Sequence, residues 1–155
     1  MIVEAAVTIN GSRAAIWAVI ADIENASKTF SGIRSIEVLE RPAKGLVGLK
    51  WRETRMLFGK PATAEKSITD AAENAFYKTR AEDEKCVYLS TMSLSESGNG
   101  GILLTSSHDS QPKGAISRLL VPPMLFLFQG VAKKAILQDL GDIKAVVERE
   151  RSTGR

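Results

Sequence analysis

The sequence predicts an α+β fold: a curved, seven-stranded antiparallel sheet wrapped around one long C-terminal helix, with two short helices after the first strand. Three observations predict it. Leu125, Phe128, Ala132, Ile136, Leu140, Ile143 and Val147 recur in steps of three and four, the spacing that lines one stripe of an α-helix. Most of the chain before them falls into short alternating segments divided by turn residues, which reads as strands joined into a meander. The final helix is also the only predicted element large enough to cover one face of such a sheet.

Residues 2–9 alternate, with Val3, Ala5, Val7 and Ile9 on one side and Glu4 and Thr8 on the other, and form the first half-buried strand. Asn10-Gly11 ends it, and Ser12 is placed to cap a short helix carrying Ile16, Trp17, Val19 and Ile20. A second short helix or turn spans residues 23–30. Strands are expected at 33–40, 47–58, 62–71, 76–82, 86–95 and 102–109. Gly59-Lys60-Pro61 and Ser97-Gly98-Asn99-Gly100-Gly101 supply hairpin turns. Pro122 and Pro123 lack backbone donors, so the long helix is expected to start at or just after them, over residues 124–147. Residues 115–121 then form a separate short helix or turn. Gly130 and Gly141 within the long helix point to close backbone packing there, or to room for a ligand.

A length of 155 residues suits a single domain over residues 1–149, followed by a flexible tail at 150–155. A net charge of +3, with both signs interspersed, offers no clustered basic face, so no nucleic-acid partner is expected. One cysteine, Cys86, excludes an intramolecular disulfide. One histidine and one cysteine make a poor metal-ligand set, so no metal is expected. Gly45 and Gly48 are too sparse for a phosphate-cradling loop, and no cofactor is expected. The apolar run from Leu119 to Phe128 is too short to span a bilayer and contains two prolines, so stable membrane insertion is not expected. Within a compact domain such a run is expected to be buried, closing the pocket as a lip. No charged leader precedes an apolar run, which makes the cytoplasm the expected compartment. A homodimer stays open.

The segment Ile16-Trp17-Ala18-Val19-Ile20-Ala21-Asp22, the strand Gly48-Leu49-Lys50-Trp51-Arg52-Glu53, the region around Tyr88 and the late Leu140-Gly141-Asp142-Ile143-Lys144 together resemble the START-related or SRPBCC superfamily. The resemblance covers nearly the whole chain. It implies the helix-grip fold, with a ligand cavity between sheet and helix. The superfamily includes lipid carriers, polyketide cyclase/dehydrase-like proteins and interaction modules, so the resemblance does not select an activity.

Trp51, Glu53 and Arg55 share one face of their strand, the more apolar one, which is expected to point inward. A carboxylate and a guanidinium would then sit inside an apolar cavity, where charges persist only when paired. They either anchor a ligand's polar group or form a structural ion pair. His108 shares parity with Ile102 and Leu104 and is expected at the cavity mouth. Phe128 is expected to line the cavity from the helix. Tyr77, Tyr88, Met56, Met92 and Trp17 read as core. Three functions follow. The first is a carrier or sensor binding a small hydrophobic molecule, lipid or polyketide-like, through Trp51, Glu53, Arg55, His108 and Phe128. The second is a cyclase/dehydrase-like enzyme in which Glu53 or His108 moves protons. The third is an interaction module whose cavity is vestigial.

Overall fold

The computed structural model describes residues 1–153, with the side chains of Val121, Met124 and Leu125 excepted. The order is β1 Ile2–Ile9, α1 Arg13–Ile20, a 3-10 turn Ile23–Asn25, α2 Ala26–Thr29, β2 Ile33–Glu40, β3 Lys50–Leu57, β4 Lys60–Ala72, β5 Phe76–Glu82, β6 Cys86–Glu96, β7 Ile102–Pro112 and α3 Gly114–Thr153. The seven strands form one open antiparallel sheet in the order β1-β7-β6-β5-β4-β3-β2. The meander runs from β2 to β7, and β1 pairs with β7, with Val3 opposite His108. This is the helix-grip arrangement expected from the sequence.

Local chemistry sets the elements. Ser12 caps α1 by accepting a hydrogen bond from the Ala15 amide at 3.0 Å. Ile16 and Ile20 of α1 are fully buried with Ile9 and Leu104. The C-terminal half of α3 buries Ile136, Leu140, Ile143 and Val147 against the same core, as the helical spacing predicts. The Lys144 ammonium donates to the Thr8 carbonyl at 2.6 Å, and Glu148 accepts from the Asn10 amide at 3.1 Å, so this half of α3 is fastened to the end of β1.

The start of the helix differs from expectation. α3 begins at Gly114 and runs without a break through Pro122 and Pro123. Both prolines are exposed, where water can solvate the carbonyls that lose their helical donors. The separate element expected at 115–121 is therefore the first part of α3. The lip is not buried either: Leu119, Leu120, Phe126, Leu127 and Phe128 are all exposed. Met124 and Leu125, also expected in the lip and stripe, lie outside the described side chains. At its other end α3 continues through Thr153, so the first four residues of the expected tail are helical, while Gly154 and Arg155 lie outside the described residues. A Cβ built on Gly130 or Gly141 meets nothing within 4 Å, so close packing does not explain either glycine.

The β3–β4 hairpin also turns earlier than expected. Phe58 and Gly59 both have positive φ, 52° and 76°, the pattern of a two-residue hairpin turn that follows strand twist. Lys60 and Pro61 belong to β4, paired with Leu57 and Met56. β4 pairs with β5 only from Lys66 onward and β2 reaches only to Arg55, so Met56 to Pro61 form a two-stranded tip beyond the body of the sheet. Pro61 is tolerated because no third strand requires its missing donor.

Candidate functional site

β3 turns Trp51 and Glu53 into the interior, with 3% and 6% of their surfaces exposed, while Arg52 and Thr54 fall on the opposite face. The parity read from the sequence is the observed one. Glu53 Oε2 accepts from Arg55 Nε at 2.7 Å and from Lys66 Nζ at 2.8 Å. Glu53 Oε1 accepts from the Trp51 indole at 3.4 Å. Arg55 uses its two remaining nitrogens on Asp139 of α3, at 2.9 and 3.3 Å. Two cations and two carboxylates therefore form one chain across the interior. Its charges balance, which is how charged groups persist away from water.

Those partners set the protonation states. Burial pushes the Glu53 carboxyl up, but Lys66 and Arg55 together outweigh it and hold it down at about 2. Burial raises the Asp139 carboxyl, and the hydrogen bonds from Arg55 oppose that rise only in part. Burial is also the largest influence on Tyr77, whose phenol is held protonated well above its ordinary range. The Tyr77 ring packs edge-on against Trp17, with centroids 6.2 Å apart, as part of the core.

Sheet register builds a second polar group beside the first. Ser90 lies opposite Thr79 on β5 and opposite His108 on β7. The Thr79 and Ser90 hydroxyls are hydrogen-bonded to each other. His108 Nε2 bonds the buried Ser106 hydroxyl at 2.9 Å. His108 is exposed, at the opening of the cleft between sheet and helix. Desolvation, then the nearby Lys66 and Arg55 charges, bring its pKa down to about 4, so the imidazole is neutral at pH 7.

These groups form the wall between two cavities. An inner one of about 70 Å³ lies among Trp51, Glu53, Tyr77, Met92 and Phe30. An outer one of about 300 Å³ lies between sheet and helix, bounded by Val3, Leu57, Ala81, Leu89, Ala132 and Ile136. Arg55, Lys66, Thr79, Ser90, His108 and Asp139 border both. Trp51, Glu53, Arg55 and His108 are thus brought together. Phe128 is not: it is 47% exposed and packs edge-on against Phe58 at the hairpin tip, 5.8 Å between centroids, outside the lining of both cavities. Its place is taken by Ala132 and Ile136, the next stripe residues along the helix. Tyr88 is half-exposed rather than core and donates its hydroxyl to Asp83 at 2.9 Å, along the rim of the outer cavity.

Sequence reading missed Lys66, Asp139, Thr79, Ser90 and Ser106. β4 shows no clean alternation, and a register shift between Ile68 and Asp70 changes its parity partway. Asp139 precedes stripe residue Leu140 and looks solvent-facing until Arg55 is brought beside it. The spacing of Thr79 from Tyr77 and of Ser90 from Met92, two residues in each case, was the available signal. No cluster of three or more histidine, cysteine or acidic residues able to hold a metal occurs among the described residues.

No protein-family model matches the sequence. No curated protein matches it either. Solved structures do match over nearly the full length. A START superfamily protein from Mycobacterium smegmatis is 19% identical, with 96% of this chain and 97% of that one covered and a TM-score of 0.76. The Zhui aromatase/cyclase from Streptomyces sp. R1128 is 19% identical, with 96% and 94% covered and a TM-score of 0.77. The di-domain aromatase/cyclase StfQ of the steffimycin biosynthetic pathway is 11% identical, with 97% of this chain and 51% of that one covered and a TM-score of 0.79. At these identities the likeness shows the fold.

Proposed function

The chain has the START-related, SRPBCC-type helix-grip fold, and we propose that it binds a small hydrophobic molecule, a lipid or polyketide-like compound, as a carrier or sensor. One observation carries this reading: an apolar cavity of about 300 Å³ between sheet and helix ends on a wall of fixed polar groups. Ligand sites are commonly built this way, with apolar walls for the body of the ligand and a few placed donors and acceptors for its head. Neutral His108, the Thr79–Ser90 hydroxyls and the outward side of Lys66 would receive a carbonyl or hydroxyl. The ion chain has no spare charge for a strongly ionic head. The open cavity also weighs against an interaction module with a filled interior.

Two structural neighbours are aromatase/cyclases, which favours a second reading, an aromatase/cyclase-like enzyme. The proton chemistry favours it less. Glu53, ionised and held by two cations, is a poor proton acceptor, and an imidazole with a pKa near 4 is a weak base at neutral pH. The reading survives only through His108.

Mass spectrometry on the purified protein, native and then denatured, tests the proposal. A co-purified apolar small molecule, released on denaturation, is the expected result. A ligand-free mass, together with no binding of fatty alcohols or aromatic polyketides in titration, overturns it. Turnover of a poly-β-ketone that is lost in His108→Gln while binding persists would replace the carrier reading with the enzyme reading.

A further inference from the structure

α3 carries two apolar stripes, and only one has a partner. Ile136, Leu140, Ile143 and Val147 face the core. Ile116, Leu119, Leu120, Phe126, Leu127 and Val131 also follow helical spacing, yet all are exposed; Leu119 and Leu127 are each 76% exposed and Phe126 is 70%. By the helical repeat these residues spread over the side of α3 away from the core stripe, and Phe128, on the core stripe itself, is exposed as well, so the N-terminal half of α3 presents apolar side chains on more than one side. The hairpin tip adds apolar surface from the sheet side. Met56, Leu57 and Phe58 are exposed there, and Phe58 reaches Phe128 on the helix. Leu57 also borders the outer cavity, so the apolar surface continues into the rim of the cleft. Exposed apolar area of this extent marks a contact surface.

Charge identifies what covers it. From residue 110 to residue 138 the chain contains no aspartate or glutamate, and the hairpin from residue 54 to residue 64 contains none either. Arg118, Lys133 and Lys134 lie along the exposed half of the helix and Lys60 lies at the hairpin tip. These four cations outnumber the net charge of the whole chain, +3. None of them takes part in an ion pair among the described residues. A mixed apolar and cationic surface of this kind complements a bilayer bearing anionic headgroups: the apolar side chains enter the acyl boundary and the cations meet the headgroups. Among the described residues no helix is long and apolar enough to cross a membrane, which fits a helix that lies on the surface.

We propose that the N-terminal half of α3 and the β3–β4 hairpin tip form a docking face for an anionic lipid bilayer, with the cleft opening beside it. The claim stands apart from the ligand reading, because the surface binds vesicles whether or not the cavity is filled. The test is flotation of the full chain with phosphatidylcholine vesicles and with vesicles containing phosphatidylserine. Binding is expected to the second and not the first, and to weaken with added salt. The double variant Phe126→Asp, Leu127→Asp should lose at least tenfold in partitioning. Lys133→Glu and Lys134→Glu should each lose about fivefold or more, the conversion of about 1 kcal/mol per basic residue. Circular dichroism of each variant confirms that the fold is kept, which is expected because the altered residues are exposed. No binding to either vesicle overturns the proposal, and so does equal binding to both. If the protein is instead a dimer by sedimentation that Leu127→Asp separates, with no vesicle binding, a second copy covers this face and the proposal fails.

Discussion

Arg55 on β3 and Asp139 on α3, 84 residues apart in sequence, join sheet to helix by paired contacts of 2.9 and 3.3 Å. The pair sits where the helix leaves the core and begins to overhang the outer cavity. Because Arg55 also holds Glu53, loss of Asp139 leaves a guanidinium that is only half compensated in a place with little water. Asp139→Ala is expected to destabilise the fold by about 2 kcal/mol, below the full cost of breaking a deeply buried pair because both partners keep some solvent contact. Urea unfolding measures it. A loss under about 0.5 kcal/mol would class the pair with ordinary surface ion pairs.

Glu53 makes the acid limb of the stability curve. Its folded carboxyl, near 2, lies below the ordinary value of 4.5. A depressed carboxyl contributes stability that is present above the unfolded pKa and is lost as pH falls through the folded one, here between about pH 4.5 and 2. The contribution is up to about 3 kcal/mol. The raised Asp139 carboxyl works in the opposite sense, because its protonated form is favoured in the fold, and trims the net slope. Glu53→Gln should therefore be less stable than the parent at pH 7 and converge on it towards pH 2 in denaturant titrations at stepped pH. Parallel curves over that range would show that Glu53 is not linked to folding.

His108 is the only histidine in the chain, so the two ring C–H resonances that titrate in NMR both belong to it. The midpoint is expected near 4, against an ordinary value of 6.5. Since the depressed imidazole is disfavoured as a cation in the fold, its contribution is intact above pH 6.5 and declines as pH falls towards 4. A midpoint above 6 would mean that the cleft solvates the ring freely and would restore His108 as a competent base near neutrality.

How much of this could be read beforehand follows from which interactions are local. The strands and their turns were legible because alternation and turn chemistry act over a few residues, and Trp51, Glu53 and Arg55 were placed correctly by parity alone. Lys66 and Asp139 were not, since each becomes part of the site only through a partner on another element. The start of α3 was misread for a different reason. The rule that prolines begin helices assumes that lost backbone bonds are costly, and on an exposed helix face water lowers that cost. Phe128 was misread with it, because its stripe was assumed to be buried along the whole helix.

The outer cavity offers a direct handle on ligand binding. Ala132 and Ala135 border it from the helix side and are small enough to leave it open. Ala135→Trp should fill much of the space and weaken binding of an apolar fluorescent ligand at least tenfold, the effect of removing most of the buried contact area. The thermal midpoint should change little, because Ala135 is exposed to the cavity and not packed in the core. Unchanged affinity would place the ligand elsewhere.

Three glycines separate backbone tolerance from packing. Gly130 and Gly141 lie within α3, and a methyl group added to either would meet nothing within 4 Å. Alanine at each should stabilise the helix by about 1 kcal/mol through the smaller backbone entropy loss. Gly101 is the opposite case. A Cβ there would stand 2.9 Å from Thr8 Cγ2 and 3.1 Å from the Ile9 carbonyl oxygen, and the second contact is backbone that cannot swing aside. Gly101→Ala should destabilise by about 1–3 kcal/mol, because it forces β1 away from the start of β7. Thermal unfolding of the three single variants gives the comparison. If Gly130→Ala instead lowers the midpoint while Gly141→Ala raises it, the exposed half of α3 needs the flexibility that glycine supplies, and its conformation on a binding surface differs from the straight continuation of the core half.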